Sequence, residues 1–100
     1  MTDVLERFLR YVKIDTQSAH HSETYPSTLK QLDLSRLLVE ELRELNLEDV
    51  KLDDFGYVTA TLPSNVSHPT PTIGFIAHVD TSPAASGKDV KPRLVENYDG

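Results

Sequence analysis

Three features of this 100-residue sequence predict an α/β fold, with two helices packed on a mixed β-sheet. Two stretches repeat apolar residues at helical spacing, and a pair of short strand-like segments flanks a turn containing Gly56. Further on, the apolar run Thr72-Ile73-Gly74-Phe75-Ile76-Ala77 lacks strict alternation, as a central strand covered on both faces does.

The first helix is signalled by Asp3 followed by Glu6, a capping-box variant that satisfies free amides at a helix start. Val4, Leu5, Phe8, Leu9 and Val12 then share one face, so a helix of about ten residues is expected, with this face in the core. Ile14-Asp15-Thr16-Gln17-Ser18 leaves the helix, with Asp15 and Thr16 suited to hydrogen-bonding turn backbone. Residues 19–27 are polar and aperiodic. His20 and His21 lie there side by side; adjacent loop histidines diverge, so both are expected in solvent and not on a metal.

Thr28 with Gln31 is the next capping-box pattern. Leu29, Leu32, Leu37, Leu38, Leu42 and Leu45 supply the expected buried stripe of a long second helix, leaving Asp33, Glu40, Glu41, Arg43 and Glu44 on a solvated face. Asn46 is a suitable left-handed stop. Val50-Lys51-Leu52 and Tyr57-Val58-Thr59-Ala60-Thr61-Leu62 read as strands joined through Asp53-Asp54-Phe55-Gly56. That position makes Asp53 and Asp54 turn residues before an acid–base pair. Residues 63–71 carry three prolines that block strand pairing, and His68 among them is expected in solvent.

In the predicted strand over 72–77, burial of Ile73, Phe75 and Ile76 would contribute about 1.5–3 kcal/mol each. Gly74 suggests close approach of another backbone. His78-Val79-Asp80 closes the run. Residues two apart on a strand point the same way, so the Asp80 carboxylate is expected beside the His78 ring. One imidazole nitrogen can then bind Zn²⁺ while the carboxylate fixes the tautomer. The same residues also fit a strand-end histidine followed by an Asx-turn through Asp80 into Thr81-Ser82-Pro83. A serine-hydrolase reading of Ser82, His78 and Asp80 fails, because three residues on one strand end cannot line up as nucleophile, base and orienter.

Charge and composition narrow the classes. A formal net charge of -6 argues against a nucleic-acid partner, which requires clustered Lys and Arg; Lys88 and Lys91 are isolated. The absence of cysteine excludes disulfides and thiolate metal sites. Early acids and the lack of a long apolar segment leave no signal-peptide pattern and no bilayer-spanning stretch, so a cytoplasmic location without a membrane partner is expected.

The stretch Ile73-Gly74-Phe75-Ile76-Ala77-His78-Val79-Asp80-Thr81-Ser82-Pro83 resembles the first metal-ligand segment of the peptidase T family, the tripeptide aminopeptidases among the co-catalytic di-zinc exopeptidases. Arg7-Phe8-Leu9-Arg10-Tyr11-Val12-Lys13-Ile14-Asp15-Thr16-Gln17-Ser18 is similar to the family's opening helix and turn, and Tyr25-Pro26-Ser27-Thr28 with Gln31 to the start of its second helix. Gly56-Tyr57-Val58-Thr59-Ala60-Thr61-Leu62-Pro63, Ser86-Gly87-Lys88 and Val95-Glu96-Asn97-Tyr98-Asp99-Gly100 match further segments in order. Departures fall at Leu29-Lys30, where the family commonly has Glu-Gly, and at Ala84-Ala85.

This resemblance implies that residues 1–100 are the N-terminal part of a zinc-exopeptidase catalytic domain, a fragment of a longer enzyme, since the family's domain is several times longer. It implies a metallo-aminopeptidase that releases the N-terminal residue of tripeptides, using two Zn²⁺ ions, with a homodimer as a state open to the full-length enzyme. His78 would be a metal ligand and Asp80 the catalytic-site carboxylate that orients it. The family's bridging aspartate, general-base glutamate and remaining ligands have no counterpart in these residues. Two alternatives stand beside it: another di-zinc exopeptidase or deacylase of the same superfamily, and a non-catalytic interaction module.

Overall fold

Local side-chain chemistry sets the first helix, as expected. The computed structural model describes residues 3–100, and in it α1 spans Val4–Tyr11. Asp3 caps it by accepting the Glu6 amide at 2.8 Å. The helix does not, however, bury its apolar face: Val4, Leu5 and Phe8 are exposed and no α1 residue is buried. Polar groups hold it instead. Glu41, predicted on a solvated face, is 5% exposed. Its carboxylate accepts hydrogen bonds from Arg7 at 2.6 Å, from Arg10 and from the Tyr11 hydroxyl.

The second helix, α2, spans Gln31–Glu44. Thr28 and Gln31 meet, but not as a capping box. Gln31 Nε2 donates to Thr28 Oγ1 at 3.0 Å, and the Thr28 hydroxyl donates to the Gln17 carbonyl at 2.7 Å. The helix is entered through a tight turn, in which the Leu32 amide bonds Leu29 O at 3.0 Å and the Asp33 amide bonds Lys30 O at 3.2 Å. Its buried residues are Gln31, Leu34, Ser35, Val39 and Glu41. The expected leucine stripe is thus rotated: Leu29 and Leu45 are exposed and Leu32, Leu37, Leu38 and Leu42 half-buried. Asn46 ends the helix in the left-handed region at φ 59°, with the Leu47 amide returning to Leu42 O at 3.2 Å.

Two antiparallel strands follow, β1 (Glu48–Leu52) and β2 (Val58–Thr61), with Lys51 opposite Thr59 and Leu52 opposite Val58. The register shifts between Glu48 and Lys51, where Asp49 takes φ 51°. Asp53 makes the turn: its Oδ1 accepts the Phe55 and Tyr57 amides, both at 2.9 Å. Gly56 is needed there on two counts. It has φ 87°, and a Cβ at this position would lie 3.2 Å from Pro26 and 3.4 Å from Leu32.

The α/β class holds, as two helices and an antiparallel pair. Parallel pairing is confined to one isolated bridge between Gln17 and Thr81. The predicted central strand over 72–77 is a correction: these residues belong to no strand, and Ile73, Phe75 and Ile76 are 75%, 96% and 100% exposed. Gly74 meets no other group within 4 Å, so no backbone approaches it. A strand forms only where a ladder satisfies its amides and carbonyls, and residues 72–80 make no backbone hydrogen bond to the described residues. Residues 63–71 and His68 lie exposed, as expected. Leu34 and Val39 are the buried hydrophobic residues among those described. With so small a core the radius of gyration is 16.5 Å, against about 13 Å for a compact domain of this length.

Candidate metal centre

The site begins where the unpaired run rejoins the body. His78 Nδ1 lies 2.8 Å from the Asp80 carbonyl and 3.1 Å from Asp80 Oδ1. Both partner oxygens can accept, so Nδ1 is the donor in this geometry, and in the neutral ring Nε2 is the nitrogen left with a lone pair. The expected juxtaposition of imidazole and carboxylate is therefore present, although no strand creates it. His78 is well exposed and Asp80 half-exposed.

The bridge to residues 16–18 is what anchors this end. Thr81 donates its amide to Thr16 O at 3.0 Å, and its carbonyl accepts the Ser18 amide at 2.9 Å and the Ser18 hydroxyl at 2.8 Å. Gln17 Nε2 adds a bond to Pro83 O at 3.0 Å. Thr16, to which the sequence assigned only a turn role, is 3% exposed. Asp15 closes the turn by accepting the Gln17 amide at 3.0 Å and pairs with Lys30 Nζ at 2.8 Å. The Lys30 ammonium, followed by the Gln17 amide, holds the Asp15 carboxyl below its usual range, and Lys88 adds to the effect. Lys30, one of the two residues at the first departure from the family pattern, is thus the partner of Asp15.

A cleft of about 1030 Å³ separates residues 75–80 from β2 and the flank of α2. Phe75, Ile76 and Val58 line it together with Leu38, Leu42 and Leu47, and so do His78 and Asp80. Both predicted site residues thus line a largely apolar opening. His20, His21 and His68 are exposed elsewhere in loops, as expected. Among the described residues no group of three or more His, Asp or Glu side chains could hold a metal ion. A zinc site needs three or four donors, so one free Nε2 with an oriented ring fits part of such a site.

The chain is 61% identical over 100 residues to the peptidase T of Halothermothrix orenii, which covers all of this chain and 24% of that protein. It is 62% identical over 102 residues to the peptidase T of Alkaliphilus oremlandii, again across the whole chain and 25% of that protein. The chain is related to peptidase T over its entire length. A Clostridium botulinum peptidase T is 57% identical over the same extent, covering 24% of its length. The chain therefore spans about a quarter of the length of the curated relatives it matches. No family model matches it.

Among the described residues, no helix is long and apolar enough to cross a membrane.

Proposed function

We propose that residues 1–100 form the N-terminal part of the catalytic domain of a peptidase T-like enzyme, a zinc-dependent aminopeptidase that releases the N-terminal residue of tripeptides. Support comes from relatives at 57–62% identity that are named peptidase T. What supports the assignment of residues most directly is the His78 ring, its Nδ1 committed to Asp80 and its Nε2 free. In this reading His78 supplies one ligand of a two-ion zinc site, and Asp80 fixes the ring's tautomer and direction. Bound zinc would polarise the scissile carbonyl and lower the pKa of a water. The rest of the ligand set would come from the part of the enzyme that corresponds to the other three quarters of its relatives.

The test is a chimera in which this chain replaces the matching quarter of the Halothermothrix orenii peptidase T. His78→Ala should lower zinc content and tripeptide turnover together. Zinc unchanged by elemental analysis would remove His78 from the ligand set. Asp80→Ala should keep the fold and lower turnover, because the ring stays but loses its alignment. An unaltered rate would end that role.

A further inference from the structure

We infer that Asp15 is a positioning residue for the His78/Asp80 pair, acting through the backbone of Thr81. The inference rests on the proposed metal-site reading and adds to it a residue outside the pair. Residues 72–80 make no backbone hydrogen bond to the described residues, so the pair takes its place from the residues that follow it. Those residues are held on both sides of Thr81: its amide donates to Thr16 O at 3.0 Å and its carbonyl accepts the Ser18 amide at 2.9 Å. The turn that presents Thr16 and Ser18 is in turn set by the Asp15 carboxylate. One oxygen accepts the Gln17 amide at 3.0 Å and the other pairs with Lys30 Nζ at 2.8 Å, just ahead of α2.

Gly87 gives an independent sign that this carboxylate is closely fitted. A Cβ there would stand 2.8 Å from Asp15 Oδ1 and 3.3 Å from Thr81 Oγ1, so a side chain at 87 would displace both. The turn is further tied to the approach to α2, because the Gln17 carbonyl accepts the Thr28 hydroxyl at 2.7 Å. A path of short contacts thus runs from Lys30 through Asp15 and the 16–18 turn to the residue after Asp80. Residues that orient a ligand typically change metal affinity or rate by about 10–100-fold.

The chimera described above provides the experiment, with three variants. Asp15→Ala removes both contacts, Asp15→Asn keeps the acceptor for the Gln17 amide and loses the charge, and Gly87→Ala crowds the carboxylate. Asp15→Ala and Gly87→Ala should each lower kcat for a tripeptide by about 10–100-fold with little change in KM, and Asp15→Asn should recover part of the loss. In metal-free protein the Thr81 amide should exchange with solvent at least about tenfold faster in Asp15→Ala, since its protection is predicted to depend on the turn. Unchanged kcat and unchanged Thr81 exchange in a folded Asp15→Ala protein would overturn the inference. If Asp15→Ala does not fold, Gly87→Ala decides: normal kcat with normal Thr81 exchange overturns it equally. Failure of the metal-site reading looks different, because His78→Ala would then keep its zinc and its rate while the Asp15 variants still alter Thr81 exchange.

Discussion

Up to Thr61 the chain is held by helices, a hairpin and a few long-range polar contacts; from Leu62 onward it has short local contacts and one anchor to the rest, at Thr81 and Pro83. In the first region Asp3 caps α1, Asn46 stops α2, Asp53 folds the hairpin turn and Glu41 ties the two helices. In the second, residues 62–78 belong to no strand and lie exposed, with a bend at 66–68, before Thr81 bridges to Gln17. Caps and turns draw on groups a few residues away, so they form wherever the sequence provides them. A central strand depends on neighbouring strands, and none among the described residues pairs with residues 72–80.

The largest expected effect tests this contrast at the level of activity. The 100-residue chain alone should show no tripeptide hydrolysis, because its described residues offer one oriented imidazole and no cluster of further donors. The chimera should be active. Turnover by the isolated chain, measured by release of the N-terminal amino acid, would show that the unpaired region already holds a working site.

This contrast also marks what was legible in the sequence. The cap at Asp3, the stop at Asn46, the hairpin around Asp53 and Gly56 and the pairing of His78 with Asp80 are all readable, since each depends mainly on residues close in sequence. The apolar faces differ from the expectation. Periodicity shows which residues share a face but not whether anything covers it, and Val4, Phe8, Phe75 and Ile76 stand exposed. Glu41 departs from the expectation for the converse reason: a carboxylate in a charged run looks solvated until Arg7, Arg10 and Tyr11, some thirty residues earlier, close on it. The link from Thr16 to Thr81 left no signal beyond small polar residues at both ends.

A second comparison concerns Ile76. In the isolated chain it is fully exposed, so Ile76→Ala should change stability by less than about 0.5 kcal/mol. If the remaining three quarters of the chimera cover the run, the same substitution should cost about 2–5 kcal/mol there. Denaturant midpoints of the two proteins measure the difference. Equal, small effects in both would mean that residues 72–77 stay uncovered even in the longer protein.

Next in size is the clasp on α1. Glu41→Ala leaves the Arg7 and Arg10 guanidinium groups without their shared carboxylate and the Tyr11 hydroxyl without an acceptor, at an expected cost of about 2–3 kcal/mol. Faster amide exchange confined to α1 would be its signature. Burial alone would raise the Glu41 pKa, but the hydrogen bonds from Tyr11 and Arg10 and the nearby positive charges bring it below its ordinary 4.5. A lowered folded-state value means that this stabilisation is complete above the ordinary value and is lost as pH falls through the lowered one. Tyr11 limits the other end: burial and its bond to Glu41 raise it above its ordinary 10.0, so its share persists below 10.0 and is lost as pH rises through the raised value. Protection of α1 amides should therefore fall at both acid and strongly alkaline pH. Protection that stays level into acid would show that Glu41 does not hold the helix.

The smallest effect is expected in the hairpin, where contacts are most local. Asp53 Oδ1 serves two amides, those of Phe55 and Tyr57, both at 2.9 Å, while the backbone adds bonds from Gly56 to Asp53 O and from Asp53 to Tyr57 O. Asp53→Ala removes the first pair and leaves the second. The turn region is exposed, so water can replace the lost acceptor, and the cost should be about 0.5–1.5 kcal/mol. Asp53→Asn keeps an acceptor oxygen and should lie nearer the parent. Chemical denaturation of the chimera resolves the order. Were Asp53→Ala to cost as much as Glu41→Ala, the hairpin would not be secured mainly by its backbone, and the division between locally closed and distantly tied contacts would fail within the first region itself.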